Sequence, residues 1–114
     1  MTGPGESFQS DTFAVGGYDW AVRFSLWSSS LNLVLLSKLQ AIERVGVKFA
    51  FTLLDKSGKP SAAVRKKKCS EFLLKGQEHG FYGFVSLANL GKYIRRDCFV
   101  VRCTVSVLRR PTRP

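Results

Sequence analysis

Apolar residues recur at every second position in three stretches of the chain, the period expected of β-strands with one face buried. In the first, Trp20, Val22, Phe24 and Leu26 fall on one side while Ala21, Arg23 and Ser25 fall on the other. In the second, Val45, Val47, Phe49, Phe51 and Leu53 alternate with Gly46, Lys48, Ala50 and Thr52, and Asp55-Lys56-Ser57-Gly58-Lys59-Pro60 follows as a turn. In the third, Phe99, Val101, Cys103, Val105 and Val107 alternate with Val100, Arg102, Thr104, Ser106 and Leu108. Gly16-Gly17 divides the segment from Asp11 to Trp27 and predicts a bend or bulge. The segment Leu31 to Ile42 is ambiguous, because Leu35, Leu39 and Ile42 also lie at helical spacing and Leu, Lys and Gln are good helix formers. Several short strands between polar turns favour an all-β antiparallel sandwich, in which such a run is a buried strand.

Composition narrows the class. With 114 residues, 45% of them hydrophobic, the chain has material for one two-layer core and one domain. Its 9 Phe, 3 Tyr and 2 Trp exclude a disordered chain. Met1 to Ser10 has neither the basic nor the apolar region of a secretion signal. The longest apolar run, within Leu31 to Ile42, is broken by Asn32, Ser37, Lys38 and Gln40, so no membrane span is expected. Cys69, Cys98 and Cys103 are an odd count without a C-x-x-C pair, which predicts reduced thiols and a cytoplasmic or nuclear location.

Candidate chemistry is sparse. One histidine, His79, and eight scattered carboxylates assemble no catalytic group, so no catalytic residue and no enzyme are expected. No phosphate-cradling motif or metal-ligand spacing predicts a cofactor or metal. Lys and Arg number 18 against 8 Asp and Glu, a net charge of +10, and Arg65-Lys66-Lys67-Lys68 is the densest basic cluster. Such a cluster suits polyanions, which keeps a basic nucleic-acid-binding module open as an alternative. Neither an aromatic and basic RNA-binding pattern nor a recognition helix accompanies it, which argues against nucleic acid. In Glu71 to Phe84, three glycines alternate with aromatics, and this pattern suits a peptide-binding edge: glycine permits close backbone approach, and aromatics form flat apolar pockets. The competing reading is a loop whose Phe81 and Phe84 plug the core, and for Phe84 it is the preferred one.

Four stretches then match one family in its own order. Ser10 to Phe13 with Val15-Gly16-Gly17-Tyr18-Asp19-Trp20, then Val45 to Lys59, then His79-Gly80-Phe81-Tyr82-Gly83-Phe84, and finally Tyr93 to Val105 resemble the MATH (meprin and TRAF homology) domain of plant MATH-BTB proteins. The resemblance implies a leader over residues 1–6, a MATH domain over 7–108 and a basic tail over 109–114. It also implies an antiparallel TRAF-like β-sandwich of about seven to eight strands, with Leu31 to Leu39 as strand. The implied function is non-catalytic: such domains recruit protein substrates by gripping short Ser/Thr-rich motifs, while a BTB domain joins them to a cullin-3 ubiquitin ligase. Carried over by position, Phe49 and Phe81 would supply apolar wall, Gly80 close backbone approach, and Gln77 and Glu78 a polar rim, with His79 replacing the usual Trp.

The chain also departs from that pattern. The family's strand before Ser7 is missing, which predicts an uncovered edge and edge-mediated self-association. The connection after the third strand is compressed to Ser25 to Ser30, and Asn32 and Glu71 stand where tight binders tend to carry Tyr. No BTB domain follows Pro114, so a ligase context is expected only if one is present elsewhere. A degenerate fragment without independent activity is the second alternative. Fewer aromatic anchors predict weak peptide binding.

Overall fold

The computed structural model describes residues 7–25, 28–86, 93 and 100–108, with 61–63 described by backbone alone. The expectations for the 1–6 leader, the 109–114 tail, Leu26, Trp27, Cys98 and Phe99 lie outside the described residues. Among the described residues the elements are eight strands: β1 (Ser7–Gln9), β2 (Phe13–Val15), β3 (Tyr18–Ser25), β4 (Ser30–Leu35), β5 (Val45–Leu54), β6 (Pro60–Phe72), β7 (Glu78–Phe81) and β8 (Val101–Leu108). They form two antiparallel sheets, one ordered β1-β3-β4-β7 with β2 also paired to β3, the other ordered β6-β5-β8. The fold is the antiparallel β-sandwich that the alternating patterns predict.

Local chemistry explains the strand ends. Val15 faces Tyr18 across the two-residue Gly16-Gly17 turn, whose φ angles of 63° and 87° suit the right-handed twist of a hairpin and favour glycine. Gly16 has a second constraint, because a Cβ there would lie 2.5 Å from Val107 Cγ2 on the other sheet. After β5, the Asp55 carboxylate accepts hydrogen bonds from the Ser57 amide at 2.9 Å and the Lys59 amide at 3.0 Å, closing the turn into β6. The run from Leu31 is strand only as far as Leu35; residues 36–44 are loop, so the expected strand to Leu39 is too long by four positions. The helical spacing of Leu35, Leu39 and Ile42 is coincidental: Leu35 is fully buried and Ile42 is 92% exposed.

The core lies where the inward sides of both sheets meet. Trp20, Phe49, Phe51 and Phe72 are all at most 1% exposed. Full burial of an apolar side chain of this size contributes about 1.5–3 kcal/mol each. Trp20 meets Phe72 edge-on at 5.2 Å, Phe51 meets Phe84 at 6.1 Å, and the Trp20 indole donates to Val15 O at 3.1 Å. Phe84, 4% exposed, is therefore the core plug preferred from sequence. On β8, by contrast, the inward Val101, Cys103, Val105 and Val107 are only half-buried. Beside them an apolar cleft of about 520 Å³ is lined by Phe8, Phe13, Phe24, Leu31, Val101 and Cys103 among others.

Candidate functional site

Strand β7 ends one sheet and β6 ends the other, and these two edges approach each other along one side of the sandwich. Register decides which side chains point into the gap. Phe81 lies opposite Leu31 and His79 opposite Leu33, so both are on the inward face, whereas Gly80 opposite Asn32 and Glu78 opposite Val34 are on the outward face. On the other edge, Lys68 is paired with Phe49 and Lys66 with Phe51, which turns both lysines inward as well. Arg65 and Lys67, opposite Thr52 and Ala50, point the other way.

The result is a polar cleft of about 480 Å³ with one aromatic flank. Ser25, Ser30, Asn32, Lys68, Phe81 and Tyr82 contribute to its lining, together with Glu78, His79 and Gly80. Phe81 is half-buried, resting on Phe49 at 6.2 Å and Phe51 at 6.1 Å, with the Lys68 ammonium 5.5 Å from its ring centre. Lys68 Nζ donates to Gly80 O at 3.0 Å, and Lys66 Nζ reaches Gly83 O at 3.5 Å. On the outward face, Arg23 bonds the Glu78 carboxylate, Asn32 Nδ2 donates to it at 3.1 Å, and Arg23 Nη2 donates to Gln9 Oε1 at 2.7 Å.

Three expected roles are corrected by this geometry. Phe49 is 1% exposed, so it supports Phe81 from beneath and offers no wall to a ligand. At Gly80 the missing side chain makes room for β4, because a Cβ would lie 2.0 Å from Leu31 O and 2.6 Å from Asn32 Cα. The close approach there is made by the protein's own backbone. Gln77 is engaged within the protein: its Oε1 accepts from the Leu73 amide at 2.6 Å and from the Leu74 amide at 3.3 Å, clasping the loop between β6 and β7, while its Nε2 lies 3.1 Å from His79 Nε2.

His79, at the position of the usual Trp, stacks edge-on against Phe72 at 4.7 Å. Its Nε2 lies 2.9 Å from Glu71 O and 3.1 Å from Gln77 Nε2. Glu71 pairs with Arg44 at 3.5 Å outside the cleft. The run Arg65 to Lys68 is the middle of the longest strand among the described residues, and its four charges divide two to each face. Tyr82 was missed as a site residue. It is 86% exposed at the cleft, and its position between Phe81 and Gly83 in the aromatic and glycine alternation was the available signal.

A larger cleft, about 810 Å³, lies near Tyr18, Glu43 and Val107 and takes in Arg44 and Glu71. Two pairs of its polar groups are closed within the protein, Tyr18 Oη donating to Glu43 at 2.7 Å and Arg44 meeting Glu71. Among the described residues no group of three or more His, Cys, Asp or Glu could hold a metal, and no helix is long and apolar enough to cross a membrane.

Against this geometry the comparisons with known proteins are decisive, because the model of the MATH domain family matches residues 1–105. The chain belongs to the MATH domain family. BTB/POZ and MATH domain-containing protein 3 of Arabidopsis thaliana is 36% identical over 124 residues, covering 93% of this chain and 30% of that protein. BTB/POZ and MATH domain-containing protein 4 of the same plant is 31% identical over 121 residues, covering 93% of this chain and 26% of the relative. This MATH domain thus spans less than a third of the curated relatives it matches. It is a protein-interaction module with an antiparallel sandwich architecture.

Proposed function

We propose that this MATH domain binds short, extended Ser/Thr-rich segments of partner proteins along the edge of β7, which no strand among the described residues pairs on the side away from β4, with Phe81 and Tyr82 as its aromatic anchors. The observation that carries the reading is the cleft itself, where an edge strand, a half-buried Phe81 and an exposed Tyr82 lie side by side. An added strand would hydrogen-bond to β7 through its backbone and place alternate side chains against Phe81 and the serines of β3 and β4. With few aromatic anchors, the affinity belongs in the micromolar range typical of weak linear-motif recognition, about 8 kcal/mol of binding free energy. A role as substrate adaptor for a cullin-3 ubiquitin ligase, in cytoplasm or nucleus, follows by likeness to the BTB/POZ and MATH domain-containing relatives, with the BTB domain supplied in the same or another chain.

The test is titration of labelled Ser/Thr-rich peptides into the domain, read by anisotropy and by amide chemical shifts. Shifts confined to residues 78–82 and Lys68, together with weakened binding in Tyr82→Ala and Phe81→Leu, are the expected result. Tyr82→Ala touches no core contact, and Phe81→Leu keeps an apolar group on Phe49 and Phe51, so both variants should stay folded. Among the described residues, the outward face of the second sheet displays Lys48, Arg65, Lys67 and Arg102. Tight RNA binding lost on removing Arg65 and Lys67, with no peptide response at β7, would move the function to that face.

A further inference from the structure

We infer that the β7 cleft is selective for phosphorylated peptides, with Lys66 and Lys68 as the phosphate-recognising pair; this rests on the peptide-binding reading above. Both ammonium groups come from the inward face of an edge strand and cross the gap to β7, ending on Gly83 O and Gly80 O. Two positions apart on one strand, the two lysines have Cα atoms roughly 6.5–7 Å from each other, so their side chains make a rail of positive charge along the edge where a peptide backbone would lie. Lys68 Nζ is itself the present occupant of Gly80 O, so a strand pairing there must displace it. A displaced ammonium needs another acceptor. A serine hydroxyl is a weak one, whereas a phosphate brings close to two negative charges and three strong acceptor oxygens. The ligand that opens the edge is thus the one that satisfies what it displaces.

The surroundings agree. Ser25, Ser28 and Ser30 place hydroxyl groups around the same cleft. Its one carboxylate among the described lining residues, Glu78, shares the outward face with Ser25 and Ser30, and Arg23 and Asn32 both bond to it, so that its charge is offset within the protein. The chain as a whole carries a charge of +10, which favours approach of an anion.

The experiment compares three synthetic peptides of one Ser/Thr-rich sequence, bearing serine, phosphoserine or alanine at a single position, moved in turn along the peptide. At the best position phosphorylation should tighten binding roughly tenfold, equivalent to about 1.4 kcal/mol. That gain should shrink as ionic strength rises and vanish in Lys66→Ala/Lys68→Ala, in which the unmodified peptide should bind at least as well as before because Gly80 O is released. Lys56→Ala/Lys59→Ala, in the remote turn, should leave the gain intact, which separates a local site from bulk charge. Binding that is unchanged or weakened by phosphate at every position overturns the inference and leaves the peptide groove standing. No shift at residues 78–82 with any of the peptides overturns the groove reading and this inference with it.

Discussion

Replacing Gly80 by alanine separates a glycine kept for β4 from a glycine kept for a ligand. A Cβ at this position would stand 2.0 Å from Leu31 O, 2.4 Å from Asn32 Oδ1 and 2.6 Å from Asn32 Cα. The Asn32 amide can swing aside, but the other two atoms belong to the β4 backbone, so β7 must move away from β4. Overpacking of this kind costs about 1–3 kcal/mol, and with backbone on both sides the upper end applies, about 3 kcal/mol. A chain of 114 residues has total stability on the order of 10 kcal/mol, so the variant should fold but melt earlier. At about 4 °C per kcal/mol for a domain of this size, the expected shift is about 12 °C. Urea unfolding of Gly80→Ala is compared with that of Gly17→Ala, because Gly17 has a φ of 87° and nothing lies within 4 Å of where its Cβ would stand. Gly17→Ala meets only backbone strain, about 1–2 kcal/mol. If Gly80→Ala proves the milder of the two, or loses less than about 0.5 kcal/mol, the steric argument is wrong and the glycine is kept for a ligand.

Two further outcomes test the electrostatics of the same fold. Burial pushes the Cys103 thiol up to about 12, so iodoacetamide near pH 8.5, the ordinary thiol value, should label exposed Cys69 and spare Cys103 until the protein unfolds; equal labelling of the two by peptide mass mapping would contradict the half-buried position on β8. The Asp55 carboxyl lies below its ordinary value of 3.8, chiefly because the Ser57 side chain hydrogen-bonds to it and also because the Lys59 amide does. Its stabilising effect is therefore present above that ordinary value and lost as pH falls through the lowered one. Thermal melts of Asp55→Asn and the parent chain should differ at neutral pH and converge in strong acid, and a gap that widens with acidification would reverse the sign of the argument.

How much of this was legible in the sequence depends on whether a residue's role is set by its own strand or by a neighbour's. The inward series Val45, Val47, Phe49, Phe51 and Leu53 was readable because a period of two is local information, and all five are at most 2% exposed. The same series hid the fate of Phe49 as a site residue, since alternation says which side a residue faces and not what covers that side. Gly80 was singled out as a close approach for a ligand, but the backbone that comes close is β4, some 50 positions earlier in the chain, and no local pattern carries that pairing. Gln77 was misread for the opposite reason: its partners, Leu73 and Leu74, are near in sequence, but an amide clasping a loop has no periodic signature.

The basic run shows the limit most clearly, and it ties stability to selectivity. As a string, Arg65 to Lys68 reads as a solvated cluster. Placed on β6, the alternation that sorts apolar from polar residues sorts cations instead, sending Lys66 and Lys68 inward beside Phe51 and Phe49. Inward charge on an edge strand is a known protection against pairing with another chain, and because these lysines cross to β7, a strand that docks on β7 must bury the ammonium or give it an acceptor. A partner strand with apolar side chains does neither and is excluded. A peptide carrying an anion does the second, so the feature that keeps this edge from indiscriminate pairing also sets what it admits. On β8 the inward positions are Val101, Cys103, Val105 and Val107, which impose no such condition. The two edges of one sheet are therefore chemically distinct, and selective recognition belongs to the side that carries the lysines.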